Sequence, residues 1–111
     1  MTHQRLEYHR LIRTHLRSAY LLPEEKIDTL LPRFLESLQA LLHNLEQALE
    51  TGPQENQTRS CHALKGALLN LGLRELAAIA STLEQNCRNP DPQFNSARIT
   101  SELKEEIQKI I

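Results

Sequence analysis

The sequence holds no tryptophan, two tyrosines, two phenylalanines, three glycines and two cysteines in 111 residues. Each scarcity narrows the fold. With little glycine and few β-branched residues, tight hairpins and strands have little to be built from, and the abundant leucine favours helix. Cys61 and Cys87 alone are too few for the disulfide framework of a small secreted domain. No apolar run approaches the ~20 residues that cross a bilayer, and Met1-Thr2-His3-Gln4-Arg5 lacks a signal peptide's apolar core. A cytoplasmic location with no membrane partner is therefore expected. The formal charge of −1 shows no basic excess, which argues against a nucleic-acid partner. The length suits one domain with a core that needs no staples.

What is present is helical periodicity. Over residues 1–22, Leu6, Ile12, Leu16, Ala19 and Tyr20 recur at helical spacing with Arg5, Arg10, Arg13 and Arg17 between them. Pro23-Glu24-Glu25 reads as a restart, with proline at the first helical position and carboxylates where the helix dipole favours them. An apolar stripe then runs from Ile27 through Leu31, Leu38 and Leu45 to Leu49, with Pro32 inside it as either a kink or a break. Thr51-Gly52-Pro53 ends that segment. Further helices are expected from Gln54 to Leu71, from Leu73 to Arg88, and from Gln93 onward after the loop Asn89-Pro90-Asp91-Pro92. Short loops between long amphipathic helices predict an all-α, antiparallel, up-down-up-down four-helix bundle over residues 23–111, with residues 1–22 as an additional N-terminal helix.

The helix from Gln54 carries two distinct faces. Cys61, Leu64, Leu68 and Leu71 form its core stripe, while Glu55, Arg59, His62, Lys65, Gly66 and Leu69 fall on the other side. His62, Lys65 and Gly66 share one turn, so an imidazole, an ammonium and a missing side chain sit together. A neighbouring ammonium favours the neutral, nucleophilic form of a ring. A mid-helix glycine costs roughly 1 kcal/mol relative to alanine, a cost that makes sense where another molecule must approach closely. The plainer alternative is that Gly66 relieves packing or marks a kink.

His62-Ala63-Leu64-Lys65-Gly66, followed by Asn70-Leu71-Gly72, Leu76 and Leu83-Glu84, resembles the histidine-containing phosphotransfer (HPt) domain of multistep two-component relays. Phe34-Leu35-Glu36, Leu41-Leu42, Leu45 and Ala48-Leu49-Glu50 resemble that family's preceding helix, and the likeness extends from about Glu24 to Ile111. The resemblance implies a phosphocarrier without kinase activity. On that likeness His62 would accept a phosphoryl group from a receiver-domain aspartate and pass it to a second receiver. Lys65 would stabilise phosphoryl charge and Gly66 would give access. The expected partner-binding positions are Glu55, Arg59, Leu69, Asn70 and Gly72. Response-regulator receivers and a hybrid histidine kinase are the implied partners, and the oligomeric state stays open, with a monomer favoured. The implied Mg²⁺ belongs to the receiver, so no cofactor or metal site is expected on this chain. The sequence departs from the family pattern at Ala67-Leu68-Leu69, where small residues are usual, which makes Leu69 a candidate for partner selection.

The competing reading is a helical adaptor that binds and regulates a receiver or kinase without carrying phosphate. His3, His9 and His15 recur every six residues and scatter around a helix, so they and solitary His43 read as surface histidines. Cys61 and Cys87 lie on apolar stripes and read as small buried hydrophobes. Glu84 reads as a cap or salt-bridge partner near the site or a loop, with no chemistry of its own.

Overall fold

The structure, a computed structural model, describes residues 3–111. It contains α1 (His3–Ala19), α2 (Glu24–Thr51), α3 (Gln54–Asn70), α4 (Arg74–Arg88) and α5 (Ser96–Ile110), with no strand among the described residues. In the four-helix bundle formed by α2–α5, α2 packs on α3, α3 on α4, α4 on α5, and α5 back on α2. The additional helix α1 rests on α5 and α2. The first two residues of the 1–22 segment lie outside the described residues.

The core is aliphatic, as the scarcity of aromatics requires. Ile27, Leu38, Leu45, Leu64, Leu68, Leu83, Leu103 and Ile107 are fully buried, and Ile12 and Leu16 of α1 join the same cluster. Burying a leucine or isoleucine side chain contributes roughly 1.5–3 kcal/mol. Helix α2 passes through Pro32 as one element of 28 residues. Pro32 and Asp28 are both on the exposed side, where water can meet the carbonyl that the missing N–H leaves unpaired.

The ends follow local chemistry. Helix α3 closes with Leu73 N–H donating to the Leu68 carbonyl at 2.9 Å and Gly72 N–H to the Leu69 carbonyl at 3.0 Å, around Gly72 at φ +78°. That is the Schellman arrangement, which places glycine just past the helix. Asn95 caps α5 by accepting from the Arg98 backbone N–H at 3.0 Å. This cap starts α5 later than Gln93, and Pro23 precedes α2 rather than opening it.

The ties of α1 correct the view that its histidines all face solvent. His9 Nε2 donates to the Ile110 carbonyl at 2.7 Å, and Tyr8 Oη donates to Glu106 Oε1 at 2.6 Å. His15 lies half-buried against Gly72 and edge-on to Tyr20. On the other side Arg13 pairs with Glu24 and Asp28, and Arg17 pairs with Glu24. The arginines of α1 thus clamp it to the start of α2.

Candidate functional site

Cys61, Leu64 and Leu68 pull one side of α3 into the core, which turns His62 outward with 65% of its side chain exposed. From α4, Leu76, Ala77, Ala80, Leu83 and Cys87 are buried against it, and Glu84 lies on that same apolar stripe. Its carboxylate is only 4% exposed and faces α3. Glu84 Oε2 stands 3.1 Å from His62 Nδ1 and 2.7 Å from Arg88 Nη2, while Oε1 stands 2.8 Å from Lys65 Nζ. The ammonium meets Oε1 as an ion pair, without the alignment of a hydrogen bond.

A buried carboxylate survives only if its charge is met, and here three donors meet it. Burial pushes the Glu84 carboxyl up. The close Lys65 ammonium, the bond from His62 and the charge of Arg88 outweigh that and hold it below the usual carboxylate range. The ionised group can only accept, so His62 Nδ1 is the donor in their bond. In the neutral ring the lone pair then sits on Nε2, the nitrogen away from Glu84. Two helices therefore fix which nitrogen is free to react.

Beside the ring, a shallow depression is lined by Gln54, Glu55, Thr58, Arg59, His62 and Arg88. Behind it the Cys61 and Cys87 sulfurs approach to 3.9 Å. Burial pushes the Cys61 thiol up to about 12 and raises Cys87 as well, so both stay protonated packing groups.

The expected site residues fall into separate groups. His62 and Lys65 converge on Glu84, and Gly66 shares their turn. A Cβ built on Gly66 meets nothing within 4 Å, so no packing within the chain requires glycine there. Leu69 is 48% exposed farther along the helix. Glu55 and Arg59 pair with one another at 3.2 Å on the exposed first turns of α3. Asn70 accepts from the Tyr20 hydroxyl at 3.3 Å. Gly72 has a reason inside the chain: its φ is +78°, and a Cβ there falls 2.5 Å from His15 Cγ.

Lys65 shares a turn with His62 and also stands on Glu84, its ammonium 2.8 Å from Oε1. Glu84 is the salt-bridge partner that the sequence suggests, and its bond to His62 is the part that the sequence did not reveal. A signal existed: a carboxylate in line with Ala80 and Cys87 on a buried stripe must have partners.

The family model of the Hpt domain matches residues 29–111. The chain belongs to the Hpt domain family. Hpt domains are phosphocarriers of two-component phosphorelays, without intrinsic kinase activity, and they interact with receiver domains and histidine kinases. The match begins within α2 and leaves α1 outside it. Comparison with curated proteins and with solved structures finds no match. Among the described residues, no helix is long and apolar enough to cross a membrane.

Proposed function

We propose that this Hpt domain is a relay intermediate in which His62 takes a phosphoryl group from a receiver aspartate and yields it to another receiver. The observation that carries the reading is the exposed imidazole whose Nδ1 is held by buried Glu84 on a different helix. The Nε2 lone pair attacks phosphorus in line. The N–P bond forms as the acyl O–P bond breaks, and the receiver's carboxylate leaves with that electron pair. The proton on Nδ1 stays in place, so the ring gains positive charge as Nε2 gives up its pair. Glu84, 3.1 Å away, stabilises that charge as it develops. The onward step reverses these changes, with a second receiver's carboxylate as nucleophile.

Such a transfer asks mainly for positioning and charge stabilisation. Lys65 holds Glu84 with one part of its ammonium and has further N–H donors for the phosphoryl oxygens. Gly66 leaves the approach open beside the ring, and Leu69, Glu55 and Arg59 belong to the face that a receiver covers. Mg²⁺ is expected on the receiver.

The test is to incubate the protein with a receiver phosphorylated by acetyl phosphate and assay for phosphate that is acid-labile and base-stable. Wild type should acquire it and His62→Gln should not. Labelling that persists in His62→Gln overturns the assignment. A wild type that binds the receiver and takes no phosphate is an adaptor instead.

A further inference from the structure

The C-terminal end of α4 is not capped by the residues that follow it. The last carbonyls of a helix have no N–H partner within it and are usually met by the next few residues of the chain. Here those residues are Asn89-Pro90-Asp91-Pro92, and neither proline has an N–H to give. The Asn89 N–H returns to the Gln85 carbonyl, while the Asp91 and Gln93 N–H groups go to the side chains of Asn86 and Asp91. The carbonyls of Cys87 and Arg88 are met from another helix instead. Gln54, the first residue of α3, donates its side-chain amide to both, at 3.2 Å for Arg88.

This cap adjoins the phosphoacceptor. Gln54, Thr58 and His62 recur every four residues along α3, and together with Arg88 they line the same depression. The Arg88 whose carbonyl Gln54 holds also sends its guanidinium to Glu84 Oε2 at 2.7 Å, the oxygen that accepts from His62 Nδ1. One path of bonds therefore leaves α3 at Gln54, crosses to α4 and returns to α3 at His62. Two such crossings fix how α3 and α4 lie along one another. The Nδ1 bond depends on that register, because a hydrogen bond weakens steeply as its geometry departs from ideal. The residue type fits the same account. At the first position of α3 a carboxylate would suit the helix dipole better than an amide, but it has no hydrogen to offer the carbonyls of α4.

We propose that Gln54 is a positioning residue for the phosphoacceptor. By capping α4 from α3 it holds Arg88 and Glu84 at the register that keeps a proton on His62 Nδ1 and leaves Nε2 as the nucleophile. Its effect on transfer rests on the relay reading of His62, whereas its effect on the ring rests on geometry alone. Gln54 acts through α4 and makes no bond to the phosphoryl group.

The test compares wild type with Gln54→Glu and Gln54→Lys. Glutamate keeps the size and suits the start of α3 but has no donor, whereas lysine is a donor that also complements the negative end of α4. Gln54 is exposed, so neither variant removes buried surface and both should fold. Two readouts are taken. One is the His62 tautomer, from the ring nitrogen signals in NMR with the ring neutral. The other is transfer from a receiver phosphorylated with acetyl phosphate. In Gln54→Glu the Nδ1–H form should give way to a mixture of tautomers, and kcat should fall about fivefold with KM unchanged. That fold-change is about 1 kcal/mol, the net contribution of one hydrogen bond. Gln54→Lys should restore both readouts. A wild-type tautomer and kcat in Gln54→Glu overturn the proposal, as do equal losses in the glutamate and lysine variants. A raised KM with kcat unchanged makes Gln54 a receiver contact, again against the proposal. If wild type takes no phosphate the relay reading falls, and the tautomer alone decides the role of Gln54.

Discussion

Glu84 and Glu106 are two carboxylates in similar chemistry with different consequences. Each joins two helices, each accepts from an aromatic side chain, and each is held below the usual carboxylate range. For Glu106 the main cause is the bond from Lys109, followed by that from Tyr8. In turn, burial and the Glu106 bond raise the Tyr8 phenol above its ordinary value. The difference lies in the donor. A phenol has one hydrogen, and Tyr8 uses it to fasten α1 to α5. An imidazole has two nitrogens, so the bond that engages Nδ1 of His62 leaves Nε2 available on a mostly exposed ring. One carboxylate thus builds a joint, and the other orients the ring that carries the proposed transfer.

The largest effect that can break this comparison is at His62. His62→Gln should abolish phosphate acceptance while stability stays within about 0.5 kcal/mol, because the side chain is mostly exposed. Thermal melting and phosphate labelling check the two halves separately. Next comes Glu84→Ala, which should slow transfer roughly 10–100-fold, the size of loss seen when the orienting partner of a metal-bound histidine is removed. It should also cost about 1–3 kcal/mol, because the packed site loses its charge-assisted bonds. Glu84→Gln, which keeps an acceptor for Nδ1, should recover part of the rate. If alanine and glutamine transfer equally well, the positioning role is wrong.

Gly66→Ala separates access from stability. With nothing within 4 Å of the added Cβ, it should stabilise the helix by up to about 1 kcal/mol and raise Tm by a few degrees. Transfer from a receiver should fall at the same time. A faster or equal transfer rate would show that no partner comes close there. Tyr8→Phe is the smaller structural counterpart, costing about 1 kcal/mol with transfer kinetics unchanged. Slowed transfer in that variant would mean that the two carboxylates are coupled.

Acid is the mildest probe. Both carboxyls have folded pKa values below the unfolded ones, so the stability they add is present above about pH 4.3 and is lost as pH falls through the folded values. Glu84→Gln should flatten part of that acid limb in denaturant melts between pH 5 and pH 2, with Glu106 carrying the rest. An acid limb identical to wild type would remove Glu84 from the account.

Much of this was legible in one dimension. Leucine spacing gives the helices, Gly52-Pro53 and Asn89-Pro90 give breaks, and the wheel of α3 sends His62 outward and Cys61 inward. These are properties of a single helix, set by a repeat of about 3.6 residues. The behaviour of Pro32 was not legible, since burial of the flanking stripe decides whether the helix continues. Nor was the partial burial of His9 and His15, because α5 and Gly72 come to them from distant parts of the chain.

By itself, the sequence determined an all-α chain and a candidate nucleophile on an open helix face, because both follow from local periodicity. Only the tertiary structure decided which nitrogen of that nucleophile is free. That choice depends on a carboxylate from α4 being brought to 3.1 Å from Nδ1 and kept ionised there by Lys65 and Arg88. It also decided that Gln54 of α3 caps the end of α4 beside the site. Both results come from packing between helices, and no periodicity within one helix can encode a distance to another.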